Sequence, residues 1–170
     1  FWFARQNAGG SEFDAEIRTI FLTTIEAAAA AQLDHWAHSL DGTVALLILL
    51  DQFPRNIHRG TSRAFANDAK ALALAKRGVD AGWLEGLDPI VGKFFVLPFT
   101  HSENMADQEQ GVQLATRFRG TAGGKKSYEA AVKHRQLIID FGRFPHRNAA
   151  LDRVNSAAED VYLQDPEAGF

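Results

Sequence analysis

Seven consecutive apolar residues, Val44-Ala45-Leu46-Leu47-Ile48-Leu49-Leu50, run directly into Asp51-Gln52-Phe53-Pro54-Arg55-Asn56. A helix that is apolar on every side cannot lie on a surface and has to be enclosed by other elements. The segment from about Gly42 to Gln52 is therefore expected at the centre of the fold. It falls well short of the ~20 residues that a bilayer-spanning helix needs. The elements around it are written in helix formers: Ala is the commonest residue, whereas Val, Ile and Thr fill only 24 positions, without a run of strict alternation. The fold class expected is all-α.

The local signals divide the chain into helices. Ser11 precedes Phe13, Ile17, Ile20, Phe21, Ile25 and Ala28, whose spacing makes one apolar stripe about five turns long. After the central segment, Pro54 disfavours helix at Phe53, so Phe53 to Gly60 is expected as a turn or a short irregular stretch. Asn67 caps a helix through Leu72, Leu74, Ala75 and Val79 that ends at Gly82. Asp88-Pro89 opens another through Ile90, Phe94, Phe95 and Leu97, which Pro98 ends or kinks. A further helix is expected from about Ser102, read as its cap, to Phe118, before the breaker cluster Gly120 to Gly124. Ser127 starts a helix through Val132, Leu137, Ile138 and Phe141 that stops at Gly142. Pro145 begins a short one to about Leu151, and Ser156-x-x-Glu159 is a capping box for the last. The sum is an irregular helical array of seven or eight antiparallel helices in a single domain, 1–170. A chain of 170 residues buries roughly two thirds of its unfolded surface, enough for a core of its own. The opening Phe1-Trp2-Phe3, without Met or a basic leader, reads as the remainder of an apolar element whose first residues are missing.

The polar chemistry gathers just past the apolar helices. Asp51 to Arg59, Pro98 to Glu103, and His134-Arg135 through Arg143 to Asn148 hold four of the six histidines, and Lys133 to Arg153 carries five Lys or Arg against Asp140 and Asp152. Arg forks onto carboxylate or phosphate and Asn orients it, so such a set suits a small anion. The candidate site is Asp51, Arg55, Asn56, His101, Glu103, His134, Arg143, His146, Arg147 and Asn148, helped by helix N-termini at Pro145 and near Ser102. Against it stands a plainer reading, in which Arg and His beside aromatic-proline turns satisfy helix carbonyls or pair with a buried Asp such as Asp51. Desolvating so many ionisable groups near apolar helix ends is more than a scaffold requires, which favours a site.

Other classes are disfavoured. No cysteine removes thiol nucleophiles and Cys-bound metals, and fits a reducing, cytoplasmic setting. His101, Glu103, His134 and His146 lack any H-x-x-x-H or H-E-x-x-H spacing, so neither metal nor cofactor is expected. A net charge of −3 argues against nucleic acid, and no G-x-S-x-G elbow or Walker loop is present. His101-Ser102-Glu103 point about 100° apart on a helix and cannot form a relay by themselves.

The stretches Leu50-Asp51-Gln52-Phe53-Pro54-Arg55-Asn56, Pro98-Phe99 with His101-Ser102-Glu103 and Asp107-Gln108, and His134-Arg135 with Phe141-Gly142-Arg143-Phe144-Pro145-His146-Arg147-Asn148 resemble the bacterial domain-of-unknown-function family 924 over nearly the whole chain. The resemblance implies an all-α fold of the tetratricopeptide-like superfamily and no established activity. Three functions follow as expectations. The first is a cleft that binds a small anionic ligand or a peptide carboxylate. The second is a protein-interaction module presenting Trp36, Trp83 or Phe118. The third is a hydrolase or transferase using His101 and Glu103 as acid and base.

Overall fold

The apolar run forms the middle of a long helical rod in the computed structural model, which describes residues 10–165 and residue 168. Among the described residues all regular structure is helical, and Phe1 to Phe3 lie outside them. The chain divides into two compact units, Phe1–Leu74 and Ala75–Phe170.

The first described element of the first unit is α1, Gly10–Ala29. Ile17, Ile25 and Ala28 are buried, but Ile20 is 59% exposed and Phe21 36%. Ile20 lies about 90° round the helix from the middle of the buried face, so the stripe read from sequence is one position too wide. Phe21 keeps a partner, its ring centroid 4.8 Å from that of Phe53. A tight turn, Asp34–His38, leads to α2, Leu40–Leu47, capped by the Ser39 hydroxyl, which accepts from Gly42 N–H.

The rod does not stop at Pro54. Ile48–Gln52 is a widened turn in which Phe53 N–H reaches back to Ile48 C=O, and helix resumes as α3, Phe53–Ile57. This overturns the expected irregular stretch from Phe53 to Gly60. The reason is geometric: a proline ring clashes with the carbonyl four residues back, and one wide turn removes the clash without ending the helix. Burial of Leu49, Leu50, Phe53 and Ile57 holds the rod together.

Helix α4, Asp68–Asp80, contains the boundary between the units. The second unit continues with α5, Pro89–His101, whose N-cap Asp88 accepts from Ile90 N–H at 2.8 Å. Pro98 lies inside α5 and the helix runs on to His101. The orphan carbonyls at its end find side-chain donors: Gln108 Nε2 donates to Thr100 O at 2.8 Å and Ser102 O at 2.5 Å, and Thr100 Oγ1 to Leu97 O at 2.9 Å. Helix α6, Met105–Thr116, is capped by Asn104, whose Oδ1 accepts from Ala106 and Asp107 N–H. Ser102, expected in that role, instead donates from its hydroxyl to Asp107 Oδ2 at 2.7 Å. α7, Gly124–Phe141, ends at Gly142, whose φ of 71° is the left-handed conformation that glycine adopts freely. The short helix expected from Pro145 to about Leu151 is present as two tight 3-10 turns, Pro145–Arg147 and Ala149–Leu151. α8, Ala157–Leu163, carries the expected capping box between Ser156 and Glu159.

Candidate functional site

α7 buries Ala131, His134, Leu137 and Ile138 along one face, so an imidazole takes a position that helical spacing otherwise gives to apolar residues. His134 Nδ1 lies 2.7 Å from Ala130 O. A carbonyl only accepts, so Nδ1 carries the proton and Nε2 the lone pair. Phe144, fully buried, supplies the floor: His134 meets its edge at 5.6 Å between centroids, His146 lies 5.5 Å away, and the Arg147 guanidinium carbon sits 4.6 Å from the ring centre. His101, at the end of α5, places its ring 6.0 Å from that of His134, and its carbonyl accepts from Arg147 Nη2 at 3.0 Å. Burial, the neighbouring His101, and the charges of Arg147 and His146 push the His134 pKa down to about 3. It is neutral at any ordinary pH.

Around this cluster the remaining charges are matched. Glu103 takes both terminal nitrogens of Arg153 at 2.8 Å and the Phe144 N–H at 2.9 Å. Burial alone would raise its pKa, but these hydrogen bonds and the charges of Arg153 and Arg147 bring it below the ordinary carboxylate value. Arg143 grips Glu159 through Nε and Nη2 at 2.6 and 2.7 Å and donates to Val154 O at 2.8 Å. Arg143 and the Ser156 N–H hold Glu159 far below the usual carboxylate range. Asn148 Nδ2 donates to Asn155 Oδ1 at 2.8 Å. Among the described residues no three His, Asp or Glu stand close enough to hold a metal ion.

The first unit holds its own polar cluster. Arg55 donates to both oxygens of Asp68 at 2.8 Å and to Asp51 O at 2.7 Å, and lies 3.2 Å from Asp51 Oδ1. Burial would lower its pKa, but Asp51 and Asp68 raise it above the free value. Gln52 Nε2 holds Asp51 Oδ2 at 2.5 Å, and Asn56 Nδ2 donates to Asp14 Oδ1 at 2.8 Å.

A family model described as "Bacterial protein of unknown function (DUF924)" matches residues 1–167. The chain belongs to that family. This DUF924 member is also similar to a solved structure, that of ATU0120, a protein of unknown function from Agrobacterium tumefaciens, with 33% identity and a TM-score of 0.86 over 96% of this chain and 93% of that one. No curated protein matches it.

In this DUF924 chain the candidate residues thus fall into distinct groups. His134, His146 and Arg147 converge on Phe144, His101 stands beside His134, and Glu103 borders them. Arg143 turns to Glu159, and Asn148 to Asn155. Asp51 and Arg55 pair with each other, while Asn56 goes to Asp14. Sequence reading passed over Phe144 as the hub, and Arg153, Asp68 and Glu159 as partners. The His134 position was readable from its helical spacing to Ala131 and Leu137; the ion-pair partners carry no local signal.

Proposed function

We propose that the chain binds a small anion, a phosphate or a carboxylate, at the imidazole and guanidinium groups gathered round Phe144. The observation that supports this most is the gathering of basic groups at one buried ring: His134, His146 and Arg147 lie 5.6, 5.5 and 4.6 Å from the Phe144 ring centre, and the His101 ring lies 6.0 Å from that of His134. Basic groups gathered round a neutral, partly buried imidazole disfavour its protonation, and an anion among them offsets that positive potential. His134, neutral with Nε2 as its acceptor atom, receives a proton from the ligand or from water as the anion arrives. A cytoplasmic setting fits the absence of cysteine. Among the described residues, no helix is long and apolar enough to cross a membrane.

Acid–base catalysis by His101 and Glu103 is not favoured. A carboxylate gripped by Arg153 is stable as the anion and is a poor proton donor near neutrality.

Titration of the 15N-labelled chain with inorganic phosphate and with acetate, followed through the imidazole resonances, tests the reading. Phosphate is expected to shift His101, His134 and His146 together in a saturable way and to raise the His134 pKa, and Arg147→Ala is expected to weaken the binding. Imidazole resonances unmoved by either anion would overturn it.

A further inference from the structure

We infer that Glu103 is the positioning residue of the anion site: its carboxylate fixes the turn that carries His146 and Arg147 against His101 and His134, without itself meeting the ligand. The inference rests on the anion-site reading above and adds how the site is held in shape. Glu103 Oε1 accepts from Phe144 N–H at 2.9 Å and Arg153 Nη1 at 2.8 Å, and Oε2 accepts from Arg153 Nη2 at 2.8 Å. These contacts span 41 and 50 residues of chain. The segment they tie down has no α-helix of its own; between Gly142 and α8 it contains only the two tight turns. Such a segment has little intrinsic rigidity and takes its position from the groups that hold it.

A single carboxylate holds this segment at both ends. Phe144 lies at its start, and Arg153 at its far end is tied back by its own N–H to Asn148 O at 2.9 Å. In the opposite direction Arg147 donates to the carbonyl of His101, two residues before Glu103. The corner at the end of α5 and the 144–153 segment are therefore laced twice, once by a carboxylate reaching out and once by a guanidinium reaching back. Because Arg147 and His146 ride on the laced segment while His101 rides on the corner, the spacing among the ligand-binding groups follows the lacing.

Electrostatics and positioning predict opposite signs, which makes the inference decidable. Glu103→Gln removes a negative charge and leaves Arg153 unmatched beside the cluster; if charge alone mattered, phosphate would bind more tightly. If the carboxylate positions the turn, phosphate binds more weakly, since small displacements of aligned groups are expensive. Calorimetric titration of the full chain with inorganic phosphate is expected to show about a tenfold or larger loss of affinity in Glu103→Gln. Arg153→Lys, which keeps the charge but not the two-pronged contact, is expected to lose affinity in the same direction. Equal or tighter binding in Glu103→Gln, with a folded variant by circular dichroism, would overturn the inference. The imidazole resonances of the ligand-free variants give a second readout. They are expected to differ from wild type at His101, His134 and His146, and unchanged resonances in Arg153→Lys likewise overturn the positioning role. Wild-type protein that takes up no phosphate, with resonances that still move in the variants, would retire the anion reading and leave the lacing intact.

Discussion

His134 makes the sharpest statement available from a single side chain. Its folded-state pKa of about 3 lies below the value near 6.5 of an exposed imidazole, so between those limits the unfolded chain binds a proton that the folded chain refuses. Stability is therefore complete above about pH 6.5 and falls as the pH drops toward 3, by roughly 3–5 kcal/mol in total. His58, whose pKa is also lowered by burial and by the charges of Arg63 and Arg18, acts in the same sense. Glu103 and Glu159, held below their free values, add their losses only once the pH falls through the carboxylate range. Between pH 6.5 and 5 the slope thus belongs to the histidines. Urea unfolding at a series of pH values is expected to show stability dropping across that interval in the wild type. In His134→Gln, which cannot be protonated, most of that drop is expected to vanish; an unchanged slope would show that His134 is protonated in the fold.

Helices approach one another closely where glycines allow it, and this decides the sign of an otherwise stabilising substitution. Gly78 lies in α4 and Gly92 in α5; a Cβ on Gly78 would stand 2.3 Å from the buried Phe95 ring, and one on Gly92 2.4 Å from that of Phe118. In an exposed helix, glycine to alanine gains about 1 kcal/mol from propensity. Here the displaced ring costs about 1–3 kcal/mol. Gly78→Ala is expected to lower the stability measured by chemical denaturation, and Phe95→Leu in the same background to recover part of the loss; a more stable Gly78→Ala would refute the close packing. Elements of this kind were well marked in the sequence where the signal is local. Asp88-Pro89, Gly142 and Ser156-x-x-Glu159 set helix ends by capping chemistry that neighbouring residues complete. Pro54 misled because its local penalty is outweighed by burial of Phe53 and Leu50; at Pro98, where an end or a kink was expected, the helix runs on for three residues, with Phe99 buried and Gln108 as a distant donor to its last carbonyls. The histidines that gather near Phe144 could be nominated from sequence as candidates, but not their company. Whether Arg55 faces a ligand or Asp68, and Glu103 a ligand or Arg153, depends on contacts 13 and 50 residues apart that no local pattern encodes.

At the scale of the whole molecule the net charge of −3 opposes an anion, whereas the site proposed round Phe144 would attract one. Ionic strength separates the two. At about 0.1 M salt, exposed charges beyond roughly 10 Å are largely screened, so the long-range repulsion fades while partly buried groups in contact with the ligand keep most of their attraction. Phosphate is therefore expected to stabilise the protein at physiological ionic strength. A ligand at a hundred times its dissociation constant adds about 2.7 kcal/mol. For a chain of this size that raises Tm by roughly 5–10 °C. Phosphate also stabilises proteins in general, by exclusion from their surfaces. That effect grows with concentration without saturating and ignores the identity of one arginine. Thermal melts in phosphate and in chloride at matched ionic strength are therefore expected to differ by a saturating increment in the wild type, and that increment is expected to disappear in Arg147→Ala. An increment that persists undiminished in Arg147→Ala would assign the stabilisation to surface exclusion and remove the anion from the imidazole cluster.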